Sequence, residues 1–170
     1  MFQSGELMVY GSTGVCQVLS VDRQHSPAGP RQERLYYRLK PLHQDGTIYT
    51  PVDNDKVIMR PVISRQEAEA LIDAIPSLPP MTCRAATTQA LTQQYQAAVR
   101  RGDCRSLMEL TLSIQAKRRQ AEAQNRRLGL VDERFMKQAE RLLFGELSAA
   151  LEIPYEQVQP YIARRMAALA

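Results

Sequence analysis

Arg60-Pro61-Val62-Ile63-Ser64-Arg65-Gln66-Glu67 decides how the chain divides. Ser64 and Glu67 stand at the spacing of a capping box, in which the serine hydroxyl takes the N3 amide and the glutamate reaches back to the N-cap amide. The spacing therefore predicts a helix that buries Ala68, Leu71, Ile72 and Ile75 and stops at Pro76. Before this stretch apolar residues recur every second position; after it they recur every three or four.

Toward the N-terminus, Glu33–Lys40 (ERLYYRLK) alternates cleanly. Leu35, Tyr37 and Leu39 share one face, and Arg34, Tyr36, Arg38 and Lys40 the other, as in a half-buried strand. Glu6–Tyr10, Val15–Asp22 and Thr47–Val52 read as further strands, and Lys56–Met59 as a short fifth. Gly11–Gly14 and Gln44–Gly46 carry turn chemistry, and Pro27, Gly29 and Pro30 make Gln24–Gln32 a loop. Five short strands in about sixty residues predict a small, strongly curved barrel.

Toward the C-terminus, Ser77–Pro80 (SLPP) reads as a stiff linker. Thr87 or Thr88 caps a second helix with Leu91, Tyr95, Ala98 and Val99 on one side, ended by Gly102. Asp103 caps a third, with Leu107, Leu110, Thr111 and Ile114 inward, and Gly129 is expected to end it. Asp132 is expected to cap a fourth, with Phe135, Met136, Ala139, Leu142, Leu143 and Leu147 at helical spacing. Pro154 opens a fifth, which Pro160 should kink or delay. The fold class is α+β by segregation: a β domain over residues 1–62 and a helical domain over residues 63–170.

Composition bounds the function. The 170 residues hold 22 Lys and Arg against 18 Asp and Glu, and no Trp. The longest apolar run is Met166–Ala170, far short of the ~20 residues of a membrane span. Met1–Glu6 has neither a basic start nor an apolar stretch, so a cytoplasmic chain is expected. Cys16, Cys83 and Cys104 are too few and too scattered for a disulfide framework. Residues 84–141 hold twelve basic side chains against six acidic ones, an excess that attracts phosphate.

Catalytic patterns are missing. The three cysteines and His25 and His43 show no spacing that couples a nucleophile to a base. There is no CxxC, no HxxxH, no phosphate-binding loop and no dinucleotide fingerprint. No catalytic residue, metal or cofactor is predicted, and a noncatalytic binding protein is expected. Tyr36, Tyr37 and Tyr49 with Arg23, Arg34 and Arg38 are the residue types that dominate protein interfaces, and an exposed edge strand recruits a partner strand. The plainer reading makes Tyr37 core and the arginines solubilising. Arg84, Arg100, Arg101, Arg105, Lys117, Arg118, Arg119, Arg126 and Arg127 are candidates for a phosphate backbone. The plainer reading there is a solvated helix face, with Arg118/Glu122 and Glu122/Arg126 as ordinary i,i+4 pairs.

Gly5–Val15 (GELMVYGSTGV), Tyr36–Leu39 (YYRL), Pro51–Asn54 (PVDN) and Arg60–Ser64 (RPVIS) together resemble the CarD/CdnL family of bacterial transcription regulators. The same module looks like the polymerase-interaction domain of transcription-repair coupling factor. A weaker resemblance runs through Tyr95–Asp103 and Gly145–Leu147. The resemblance implies a Tudor-like N-terminal domain docked on the RNA polymerase β subunit, with Arg23, Tyr36, Arg38, Tyr49 and Thr50 as contacts. It implies a helical domain against promoter DNA, reading no sequence and acting on open-complex stability, in a protein that sits on polymerase as a monomer. Two departures stand out. Family members often carry Arg where Tyr49 stands, and they wedge a Trp into the minor groove where this chain has none. Met81 is a weaker apolar wedge or, more simply, a linker contact. Two other readings remain: an adaptor for a different protein, with no DNA role, and an enzyme using a Cys and a His.

Overall fold

The computed structural model describes residues 1–25, 33–78 and 85–169, with His25 described by its backbone alone. The chain divides into two compact units, Met1–Val62 and Ile63–Ala170.

The first unit is a five-stranded antiparallel sheet: β1 (Leu7–Tyr10), β2 (Gly14–His25), β3 (Glu33–Pro41), β4 (Ile48–Pro51) and β5 (Met59–Pro61). The spatial order is β4-β3-β2-β1-β5. Among the described residues β4 and β5 do not pair, so the expected barrel is here a sheet without a closing ladder. A single 3-10 turn, Gly11–Thr13, joins β1 to β2. Gly11 takes a left-handed φ of 46°, and a Cβ there would lie 2.8 Å from Val57 Cγ1, so only glycine suits the turn.

Two strands differ from the sequence reading. The last lies at Met59–Pro61 rather than Lys56–Met59, because its place is set by pairing with β1, Met8 opposite Pro61 and Tyr10 opposite Met59. β2 runs on through Arg23, Gln24 and His25, because β3 supplies a partner as far as Glu33. The rest of the expected loop, residues 26–32, lies outside the described residues.

One residue re-phases β2. Val18 stands opposite Leu39 and Ser20 opposite Arg38, so Leu19 is the extra residue of a β-bulge. Before it Cys16 and Val18 face inward. After it Val21, opposite Tyr37, takes that role, and Ser20 and Asp22 turn outward. The core on the inner face is Met8, Cys16, Val18, Tyr37 and Leu39. Tyr37 reaches across it to accept a hydrogen bond from the Phe2 amide at 2.9 Å.

The second unit is five helices: α1 (Arg65–Asp73), α2 (Thr88–Arg101), α3 (Cys104–Ala123), α4 (Leu130–Leu151) and α5 (Tyr155–Leu169). Both halves of the capping box form: Ser64 Oγ accepts from Glu67 N at 3.1 Å, and Ser64 N donates to Glu67 Oε2 at 2.7 Å. Thr87 and Asp103 cap α2 and α3. Gly102 ends α2 at a φ of 66°, where a side chain would be strained.

α3 ends six residues before Gly129. Asn125 takes the left-handed conformation, its N–H donates to Glu122 O, and the Arg126 N–H donates to Ala121 O. These are the two bonds of a Schellman reversal, with asparagine in the usual glycine position. Gly129 is instead the N-cap of α4, and Asp132 sits inside its first turn, 6% exposed. α5 begins just after Pro154 and runs through Pro160. The long core spans Ile72 of α1, Tyr95 of α2, Leu110 and Ile114 of α3, Leu143 and Leu147 of α4 and Val158 of α5. α1 is tied to α5 by a bidentate pair, Arg165 Nε to Asp73 Oδ1 at 2.6 Å and Nη2 to Oδ2 at 2.9 Å. Among the described residues no helix is long and apolar enough to cross a membrane.

Candidate functional site

Strand parity builds the site on the β unit. Residues paired across neighbouring strands share a face, and successive residues alternate. Tyr49 of β4 stands opposite Arg38 of β3, which stands opposite Ser20 of β2. The next row is Pro51, Tyr36 and Asp22. Tyr49 and Arg38 are exposed and Tyr36 half-buried, so an aromatic–guanidinium surface forms on the outer face. Tyr49 is 55% exposed, one of the largest apolar surfaces this unit offers. Arg34 lies on the same face and pairs with Asp53 at 3.3 Å.

The sheet does not bring all five expected contacts together. Thr50 stands opposite Tyr37 and is 1% exposed, and its Oγ1 accepts from Asn54 Nδ2 at 3.0 Å. Its side chain therefore anchors the following turn and is not on the surface. Arg23 is exposed but stands opposite Leu35, on the inner face beyond the core. The bulge at Leu19 separates it from Tyr36, Arg38 and Tyr49.

β4 is also an edge among the described residues. The Val52 amide bonds Leu35 O at 3.0 Å. Ladder bonds recur at every second pair, so those of Thr50 and Ile48 also turn toward β3 and the main chain of Tyr49 turns toward the open side. Pro51 has no N–H to offer there, which shortens the edge available to a partner strand.

The basic side chains of the helical unit fall into two groups rather than one patch. Arg100 and Arg101 end α2, and Arg105 opens α3; the first two are exposed, and Arg105 reaches Glu109 at 3.2 Å. Arg118, Arg119, Arg126 and Arg127 gather at the other end of α3, roughly 20 Å away at the helical rise of ~1.5 Å per residue. Arg119, Arg126 and Arg127 are exposed. Arg118 lies near Glu140 of α4, whose carboxyl is pushed up by burial and pulled partly back by that charge. Arg126 lies beyond the end of α3, so Glu122/Arg126 is not a helical pair. Arg84, Met81 and Cys83 lie outside the described residues.

Lys117 has a different task from its neighbours. Its Nζ bonds Asp132 Oδ1 at 2.8 Å, and Tyr95 donates its hydroxyl proton to the same oxygen. Tyr95 is fully buried, so the cluster joins α2, α3 and α4 through one carboxylate. A lysine spent on a buried anion contributes little to a surface field, which removes Lys117 from the phosphate-facing set. Nothing local marks this; Tyr95 and Asp132 are 37 residues apart.

Cys16 and Cys104 are buried, and burial pushes the Cys16 thiol up to about 11. His43 is exposed in the turn before β4. Among the described residues no three His, Cys, Asp or Glu side chains gather to hold a metal.

No curated protein matches the chain. Residues 2–63 match the family model of the CarD-like/TRCF RID domain. The matched stretch spans the N-terminal unit, which is thus similar to the CarD-like/TRCF RID domains, a family of protein-interaction domains that bind the RNA polymerase β subunit.

Proposed function

We propose that the protein is a bacterial transcription regulator of the CarD/CdnL type. Its N-terminal domain, Tudor-like in closure, docks on the polymerase β subunit. Its helical unit contacts promoter DNA without reading sequence and alters the lifetime of the open complex. It works as a noncatalytic, cytoplasmic monomer on polymerase. One observation carries the reading: the segment matching an RID domain presents to solvent Tyr49 on the edge strand β4 and Arg38 beside it on β3. Aromatic and arginine side chains on such an edge are the usual anchors of an interface.

A second reading keeps the protein contact and drops the DNA. It is favoured by the absence of Trp, which removes the stacking wedge, and by the diversion of Lys117 to Asp132. One experiment separates the two. The full chain is tested for co-purification with the isolated β-subunit lobe, and polymerase–promoter lifetimes are measured with and without it. Recovery of the lobe with an altered lifetime supports the first reading. Recovery with an unchanged lifetime supports the second. No recovery refutes both.

A further inference from the structure

Between the end of α3 and the start of α4 lies an open notch of about 410 Å³, edged by Gln120 of α3, by its C-cap residue Gln124 and by Arg126 and Arg127 of the connection. Lys117 and Asp132 form its floor, where their charges are spent on each other. Among the described residues no carboxylate pairs with the Arg126 or Arg127 guanidinium. The backbone beneath them is fixed, since the Arg126 N–H closes the Schellman reversal on Ala121 O at 2.7 Å. The site thus offers two guanidinium forks and two side-chain amides above a neutralised floor.

We propose that this notch binds a phosphate group, either a phosphodiester of nucleic acid or a free phosphate. Guanidinium forks match a phosphate in bidentate geometry. A phosphodiester adds two ester oxygens to its two charged ones, and free phosphate has four oxygens, where a carboxylate has two; the amides of Gln120 and Gln124 suit the oxygens that the forks leave over. The volume admits a phosphate with its sugar attached. The inference rests on the promoter-contact half of the function proposed above, and it narrows that contact from the whole basic set to two arginines.

The test uses the full chain and its Arg126→Ala/Arg127→Ala variant, with Arg126→Lys/Arg127→Lys as a control that keeps the charge. Both side chains are exposed and follow the helix end, so circular dichroism should be unchanged. Duplex DNA binding is measured by anisotropy over a salt series. Inorganic phosphate binding is followed by NMR of the arginine Nε–H signals. Each lost phosphate contact lowers the slope of log affinity against log salt by ~0.9, so the alanine variant should lose roughly 1.8 and the lysine variant little. Phosphate should shift the Arg126 and Arg127 signals in the wild type, and poly-glutamate should compete weakly. If DNA does not bind but phosphate does, through these arginines, the source is free phosphate and the promoter contact falls. If DNA binds with the same slope in the alanine variant, the notch is refuted while the promoter contact stands. If neither ligand binds, both fall. Poly-glutamate competing as well as phosphate also refutes the inference.

Discussion

Tyr49→Ala removes the exposed aromatic anchor of the N-terminal unit, and its cost can be worked from the sheet. An aromatic side chain covers ~150–250 Å² when fully buried. Tyr49 is 55% exposed, so roughly 100 Å² remains for a partner to cover. At ~25 cal/mol per Å² that is about 2.5 kcal/mol, from which ordering the side chain takes ~0.5–1.5 kcal/mol. The net loss, about 1–2 kcal/mol, is roughly a 5- to 30-fold weaker Kd. The fold should tolerate the change, because Tyr49 lies on the outer face opposite Arg38, away from the core of Met8, Val18 and Leu39. A stability loss below ~1 kcal/mol is expected, within the span of strand propensities. The assay is calorimetric titration of the full chain into the isolated β lobe, beside a thermal melt. A Kd within twofold of wild type would show that the partner does not cover Tyr49, and the outer-face assignment would be wrong.

The adjoining residue should behave in the opposite way: Thr50→Val leaves the Asn54 amide without its acceptor, lowers stability by about 1 kcal/mol in a thermal melt, and leaves the lobe affinity unchanged. Asp132→Ala strands the buried Tyr95 hydroxyl and the Lys117 ammonium, and urea unfolding should show a loss of about 2–4 kcal/mol, smaller for Asp132→Asn. Hydrogen bonding to Arg165 holds the Asp73 carboxyl below its ordinary value of 3.8, so the α1–α5 tie is fully present above that value and is lost as pH falls through the lowered one. The melting-temperature gap between wild type and Asp73→Asn should therefore close in acid. Cys16, buried with its thiol near 11, should resist a thiol reagent at pH 8 in the native chain and react on unfolding.

Local chemistry was legible in the chain, and long-range chemistry was not. Ser64, Thr87, Asp103 and Gly102 act at helix ends through bonds to residues a few positions away, so spacing alone finds them. Asn125 ends α3 by the same kind of local bonding, but asparagine is a weaker stop signal than the glycine four residues later. Asp132 looked like a cap because it opens an apolar helical pattern; its partners, Tyr95 and Lys117, lie on two other helices. In the candidate site the resemblance put Tyr49 and Thr50 together as contacts, although neighbours in a strand face opposite ways and period two along β4 was there to part them. The same parity would misplace Arg23, because the count slips at Leu19.

That slip constrains how the chain can vary. Delete Leu19 and the ladder becomes regular: Ser20 follows Val18 directly and stays opposite Arg38, Val21 stays opposite Tyr37 and Asp22 opposite Tyr36, so every later side chain keeps its face. The residue between Val18 and Ser20 thus bends and twists the strand and is surplus to its register. Loss of Leu19 should therefore leave the β2–β3 pairing intact and straighten the strand, whereas loss of Val21 would carry Asp22 onto the inner face beside Tyr37.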